Sequence, residues 1–321
     1  MRLGKQRNES KYLAVEYFYT KKGWSIKWMC DQLGIARAAY YKWRHRIIPE
    51  QEKINLELAE LVKEYDERFC HILGYRRMTD WINHFNHMNY SRKRIHRIMK
   101  MLGIHAVIRK KKKKYSALKP EETAANILSR DFYATAPNQK WATDVTEFKI
   151  PETNKKLYLS VILDLYDRYP VSFVISSRND NQLVFKTFDK AIAANPDAKP
   201  IFHSDRGFQY TSRVFQKKIK DNDMIQSMSR VGHCIDNGPI EGFWGIIKTE
   251  MYQMYDIVDE KSLRYAIKDY ISFYREYRPQ SRYNCKTPRE VRREALELEA
   301  PVEYPIPRNK RIEKYKAKWC A

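Results

Sequence analysis

The stretch His203-Ser204-Asp205-Arg206-Gly207-Phe208-Gln209-Tyr210 constrains this chain more than any other. Pro200-Ile201-Phe202-His203 is a short apolar run that reads as a buried strand, Asp205 follows where the strand would emerge, and Arg206-Gly207 makes a turn. A carboxylate placed there sits on rigid backbone and faces a cleft. Two other acidic positions make chemical sense in relation to it. Upstream, Asp144 lies inside a second strand-like run, Trp141-Ala142-Thr143-Asp144-Val145-Thr146-Glu147-Phe148. Downstream, thirty-five residues intervene before Glu241 of Asp236-Asn237-Gly238-Pro239-Ile240-Glu241-Gly242-Phe243-Trp244. There Asn237 or Gly238 can cap a helix whose first turn holds Pro239.

If the two strands are neighbours in a sheet, the three carboxylates converge. Three anions within a few ångströms repel, so without a cation at least one would be protonated. Hard oxygen ligands with open positions suit Mg²⁺ or Mn²⁺, and two ions about 3.5–4 Å apart suit in-line displacement at phosphorus. Any one Asp at a strand end is ordinary turn chemistry; the combination is what points to a metal site.

The order and spacing resemble the Asp, Asp, thirty-five residues, Glu pattern of retroviral integrases and insertion-sequence transposases, in particular the IS-three type, whose catalytic protein is the second of two overlapping reading frames. The resemblance is carried by Trp-Ala-Thr-Asp-Val-Thr (141 to 146), His-Ser-Asp-Arg-Gly-Phe-Gln-Tyr-Thr-Ser (203 to 212), Gln-Ser-Met-Ser-Arg (226 to 230) and Asp-Asn-Gly-Pro-Ile-Glu-Gly-Phe-Trp-Gly-Ile-Ile-Lys (236 to 248). It runs from about residue 10 to about residue 295, and the family's basic residue seven positions after the Glu is here Lys248.

The resemblance implies an α/β ribonuclease-H-like (integrase) catalytic core with a mixed five-stranded sheet, preceded by all-α helix-turn-helix DNA-binding domains. It implies a DDE polynucleotidyl transferase in which Asp144, Asp205 and Glu241 hold two Mg²⁺ (or Mn²⁺) ions. Its partners would be the inverted-repeat ends of the element and target DNA, further copies of the chain on DNA, and the upstream-frame (OrfA) protein, alone or fused by ribosomal frameshifting. It also implies copying through a circular intermediate, in the bacterial cytoplasm at the nucleoid.

Charge supports a nucleic-acid partner. Lys and Arg number 61 against 39 Asp and Glu, a net +22, and residues 1 to 120 carry 28 basic against 11 acidic side chains. A basic amino-terminal third is an electrostatic footprint for phosphates. The five cysteines lack paired short spacing, and His84 and His87 have no cysteine pair near them, so the chain reads as reduced and intracellular, without a zinc-binding domain. No apolar run of eighteen residues and no charged-then-apolar leader is present, so neither membrane insertion nor secretion is indicated.

In chain order, residues 1–48 read as a helix-turn-helix domain. Ser25 caps a helix through Gln32, Leu33-Gly34-Ile35 turns, and a second helix from Ala36 to Arg46 offers Arg37, Tyr40, Lys42 and Arg44 to DNA, with at least one of Tyr40, Tyr41 and Trp43 also read as core of the small helical domain. Residues 49–108 read as a second helical DNA-binding domain. Its last helix, Arg92 to Leu102, has a buried face and a cationic flank with Arg92, Lys93 and Arg97. Residues 109–137 are a basic linker containing the run Arg109 to Lys114.

Residues 138–295 alternate strands and helices in an order compatible with the core the resemblance implies, and 296–321 form a basic tail. Asp164 and Asp167 are read as solvated or paired with Arg168, outside the site. Glu241, Trp244, Lys248 and Tyr252 recur at spacings of three, four and four, one helix face on which catalysis and DNA contact are shared, with Arg206 beside Asp205. Two other readings use the same residues: a ribonuclease-H-like nuclease without strand transfer, and a DNA-binding regulator with a decayed core.

Overall fold

The computed structural model describes residues 8–47, 49–107, 126–230 and 234–306. The basic run 109–114 and the tail from 307 onward lie outside them. The chain divides into two compact units, Met1–Val107 and Ile108–Ala321.

The first unit is helical: α1 (Glu9–Lys22), α2 (Ile26–Gln32), α3 (Arg37–Arg44), α4 (Glu50–Arg68), α5 (Tyr75–Phe85) and α6 (Arg92–Leu102). Ser25 accepts the Trp28 N–H to start α2, and Gly34 turns the chain into α3 at φ 61°, a backbone that a side chain disfavours. Val15, Met29, Cys30, Ile35 and Tyr40 close the core of α1 to α3. Ser91 caps α6 through the Arg94 N–H and Gly103 ends it at φ 71°. Between these stops Ile95, Ile98 and Met99 are buried, as are Leu58 and Val62 of α4 and Trp81 of α5. Of the residues that the helical spacing marks, Ile54, Leu61 and Leu102 stay half-buried at the margins.

The second unit contains β1 (Lys140–Lys149), β2 (Lys156–Asp164), β3 (Pro170–Ser176), α7 (Asn181–Ala194), β4 (Ile201–Ser204), α8 (Phe208–Thr211), α9 (Arg213–Asp221), β5 (Ile225–Met228), α10 (Gly238–Met254), α11 (Glu260–Glu276) and α12 (Pro288–Glu297). The strand order is β3-β2-β1-β4-β5. β1 pairs antiparallel with β2 and β2 with β3, while β1–β4 and β4–β5 are parallel, so the sheet is mixed.

Successive residues of a strand face opposite sides, and the two sides are filled differently. Ala142 and Phe148 of β1 join Val161 of β2 in one core with Phe243, Ile247 and Ile267 of α10 and α11; Trp141 joins Phe202 in the other, with Phe188 of α7 and Phe215 of α9. The result is a helix–sheet–helix sandwich that fixes β1 and β4 at its centre.

One expectation is corrected here. Asp164 and Asp167 are fully buried, and their partner is Arg292 of α12, at 3.1 and 2.9 Å, in place of Arg168. Two carboxylates share one guanidinium, which ties α12 to the end of β2. Burial and the neighbouring Asp164 push the Asp167 carboxyl up to about 7, against the pull of Arg292.

Candidate active site

The site is assembled by strand register. Asp144 stands opposite Val161 in the middle of β1. The parallel pairing of β1 with β4 runs Lys140 to Ile201, Trp141 to Phe202 and Ala142 to His203, and two residues further along the same register Asp205 emerges beside Asp144. Both aspartates are half-buried. Glu241 is exposed in the first turn of α10, the helix laid against β1.

Fixed donors hold the pair. Asp144 accepts the Val145 N–H at 2.7 Å on one oxygen and the indole N–H of Trp244 at 2.9 Å on the other. Asp205 accepts the Gly207 N–H at 2.9 Å. A methyl group at Gly207 would stand 3.1 Å from that Asp205 oxygen and 2.9 Å from Gln209 Oε1, so a side chain there would press on the carboxylate and displace Gln209. Behind the pair, the buried Tyr210 hydroxyl lies 3.2 Å from Thr143 Oγ1, which itself donates to the Val161 carbonyl.

The electrostatics follow from this crowding. Burial, then the charge of Asp205, and to a smaller extent that of Glu241, push the Asp144 carboxyl from 3.8 up to about 7, against the two N–H donors. Burial raises Asp205 above the usual range despite the Gly207 N–H. The surrounding protein wall raises Glu241 as well. Among the described residues no three His, Cys, Asp or Glu side chains already stand together as a ligand set. The donor chemistry nevertheless suits a hard divalent cation: each Asp144 oxygen keeps a lone pair beyond its single hydrogen bond, and the pair's repulsion has no cationic side chain to cancel it among the contacts that shift it.

The start of α10, and with it Glu241, is set by a buried polar knot absent from the sequence-derived list of site residues. His203, fully buried, has Nε2 2.9 Å from the Asp236 carbonyl and Nδ1 3.0 Å from Ser227 Oγ, which in turn accepts the Leu128 N–H. These partners place the proton on Nε2. Burial lowers the His203 pKa to about 4, which keeps the ring neutral.

Asp236, also fully buried, accepts from Arg130 Nε at 2.5 Å, from Arg230 N and Nε at 3.0 Å each and from Asn126 Nδ2 at 3.1 Å. Burial pushes this carboxyl up, but the bonds from Arg230 and Arg130 outweigh it and hold it below the usual range. Asn237 precedes α10 without capping it; its amide donates instead to the Thr143 carbonyl at 3.1 Å, one residue before Asp144. The signal in the sequence was the motif itself, in which His203, Tyr210 and Asp236 were read only as neighbours of the acids and Asn237 only as a candidate cap.

Several residues expected to contact DNA are engaged within the protein. Trp244 is buried and holds Asp144, Lys248 Nζ lies 2.6 Å from Thr146 Oγ1 and over the Phe148 ring, and the Tyr252 hydroxyl donates to the Lys149 carbonyl at 2.7 Å. The row at spacing four faces β1 because four helical residues rise about 6 Å and two strand residues advance about 6.8 Å. Helix and strand stay in step from Trp244–Asp144 to Lys248–Thr146, and the long Tyr252 side chain reaches one residue further, to Lys149. Arg206 directs Nε to the Ser229 carbonyl at 2.8 Å, bracing the turn after β4. In the helical unit Tyr40 is fully buried with its hydroxyl 2.5 Å from Glu16, so it is core and not a groove contact. Arg37, Lys42 and Arg44 of α3 and Arg92, Lys93 and Arg97 of α6 are exposed.

Comparison with known proteins identifies relatives of this chain. Residues 134–234 and 241–306 match two models described as integrase core domain, and residues 53–112 match one described as HTH-like domain. The protein assigned as transposase InsK for insertion sequence element IS150 of Escherichia coli K12 is 34% identical over 264 residues, 80% of this chain and 90% of that one. Transposase InsF for insertion sequence IS3A of the same organism is 29% identical over 268 residues, 81% of this chain and 90% of its own. Among solved structures, the HTLV-2 integrase catalytic core domain in complex with magnesium (dimeric form) aligns with 49% of this chain and 97% of its own at 22% identity and a TM-score of 0.39. The chain belongs to the insertion-sequence transposases, with an integrase core following a helix-turn-helix-like domain.

Proposed function

We propose that this transposase cuts DNA at the ends of its element and joins the freed 3′-hydroxyls to other DNA, using Asp144, Asp205 and Glu241 as ligands for two Mg²⁺ (or Mn²⁺) ions. The observation that carries the proposal is the register that sets Asp205 beside Asp144, with the Asp144 carboxyl pushed to about 7 by burial and, next, by the charge of Asp205. Bound there, such ions supply a lowered pKa for an attacking hydroxyl and stabilisation of the leaving oxygen.

The chain's own residues do the positioning. Val145 and Trp244 hold Asp144 in one orientation, Gly207 holds Asp205, and the Thr143–Tyr210 wall keeps water from behind the pair. In cleavage a water oxygen bonds to the scissile phosphorus as the P–O3′ bond breaks. The departing 3′-oxygen takes a proton, leaving a 3′-hydroxyl and a 5′-phosphate. In joining, that hydroxyl forms a new P–O bond while a target P–O3′ bond breaks. One phosphodiester replaces another, so no external energy source is needed.

Exposed Arg37, Lys42 and Arg44, and Arg92, Lys93 and Arg97, serve in this reading as DNA contacts of the helical unit. Lys248 and Arg206 bring positive charge to the flanks of the carboxylates and act there as backbone contacts. The family resemblance extends the proposal to a homo-oligomer on DNA, to the upstream-frame protein as partner, and to the cytoplasm. No helix among the described residues is long and apolar enough to cross a membrane. A nuclease lacking strand transfer is not favoured by relatives that are transposases over most of this chain.

The test is Glu241→Gln. It keeps shape and removes charge, so folding and DNA binding persist while nicking of an end-containing duplex in Mg²⁺ is lost. Cleavage near the wild-type rate would remove Glu241 from the site.

A further inference from the structure

Away from the carboxylates, the edge strand β3 and the helices flanking it enclose a basic groove. It has a volume of about 450 Å³ and is lined by residues 171–175 of β3 together with Lys190 of α7 and Arg264, Lys268 and Arg275 of α11. No acidic side chain lines it. An adjoining hollow of about 480 Å³ shares Arg264 and Lys268 and adds Lys261, Tyr265 and Glu260. On α11 the basic positions 261, 264, 268 and 275 follow at spacings of three, four and seven, which puts them on one face. That stripe is about 21 Å long at the helical rise. Tyr265 stands beside it, 63% exposed.

The occupant is constrained by what already covers the strand. β3 is the last strand on its side of the sheet, and an open edge is a template for another strand. Here Arg264 donates to the Ile175 carbonyl at 3.2 Å and Arg275 donates to the Pro170 carbonyl, so both ends of the edge are capped by guanidinium groups. That opposes addition of an extended peptide. A second copy of this chain would bring the same cations face to face. The nearby acids are engaged: Glu260 accepts from Arg264 at 2.9 Å and Asp269 from the Tyr255 hydroxyl at 2.6 Å.

A row of anions fits such a stripe, and at 3.4 Å per base pair its length spans about six base pairs of duplex. We propose that this groove is a second DNA surface, taking the phosphodiester backbone of duplex DNA irrespective of sequence at a position apart from the carboxylates. Lys190, Lys261 and Lys268 contact phosphates, and Tyr265 packs against the sugar or base beside them. Strand order supports the separation: the groove lies across β2 from β1, on the edge opposite β5. The proposal rests on the transposase reading only in that the chain works on DNA.

The experiment uses the full chain and a 30-base-pair duplex of random sequence without the element's ends. Lys190 and Lys268 are exposed, so Lys190→Glu/Lys268→Glu should melt as the wild type does. It should bind the duplex about tenfold or more weakly, with a plot of log affinity against log salt shallower by about two phosphate contacts, roughly 0.9 each. A photoreactive phenylalanine analogue at position 265 should crosslink to the same duplex. Glu241→Gln should bind it with the wild-type slope, so failure of the groove and failure of the carboxylate assignment give different results. An unchanged slope in the double variant with no crosslink from position 265 would overturn the proposal. So would binding of a poly-glutamate peptide that the double variant loses while its DNA binding stays intact, an outcome that assigns the groove to an acidic protein.

Discussion

Asp144→Asn should abolish strand cleavage and, without divalent cations, make the protein more stable. The two effects have one cause. In the folded chain the Asp144 carboxyl titrates at about 7 in place of 3.8, because it is buried beside Asp205. A carboxyl raised in the folded state contributes stability below its unfolded pKa and loses it as pH rises through the folded value. The wild type therefore loses stability between about pH 4 and 7 from this group, and the asparagine variant does not.

The ceiling is roughly 4 kcal/mol, from about three pKa units at 1.36 kcal/mol each. Asparagine has one acceptor where Asp144 meets two N–H donors, which costs about 1 kcal/mol in return. A net gain of about 2–3 kcal/mol at pH 8 in EDTA, shrinking toward zero near pH 4, is the expected urea-unfolding result. Cleavage of an end-containing duplex in Mg²⁺ should fall about a thousandfold or more, since the variant loses charge at the reacting centre. Equal stability at pH 8 would mean that Asp144 is not strained by its neighbour. Retained cleavage would remove it from the chemistry.

The second large effect is structural and reaches the site indirectly. Asp236→Ala should destabilise the core by about 3–5 kcal/mol, because it leaves Arg130, with a side chain only 2% exposed, buried without its carboxylate. It also releases the turn that Arg230 and Asn126 hold, and this turn sets where α10 begins. Asp236→Asn keeps two acceptable hydrogen bonds but not the charge and should fall between the two. Urea midpoints of the three proteins at pH 7.5 check the order. A loss below about 1 kcal/mol for the alanine variant would show that the arginines find other partners and that the knot does not fix the helix.

The strands and most helices were legible because their signals are local. Short strand-like runs bounded by turns mark β1 and β2 and helical spacing marks α6, with Ser91 and Gly103 naming its ends. The carboxylates were legible because a motif states residue type and spacing together. What escaped depends on neighbours distant in sequence. Asp164 and Asp167 meet Arg292 more than a hundred residues later, and nothing beside them names that partner.

The Trp244–Lys248–Tyr252 row was correctly seen as one face, but which surface it meets depends on how α10 lies on β1. Tyr40 shows the same limit: an aromatic on a basic helix suits a groove or a core, and the packing of α1 decided for the core.

The central claim is that Asp144, Asp205 and Glu241 together hold the catalytic cations, although in the described residues they do not yet stand as one ligand set. The direct measurement is anomalous diffraction at the manganese edge from crystals of the full chain bound to end DNA and soaked in Mn²⁺. The expected result is two peaks about 3.5–4 Å apart, with carboxylate oxygens of all three residues at about 2.1 Å. Peaks ligated by other residues, or occupied sites from which Glu241 stays turned away, would contradict it.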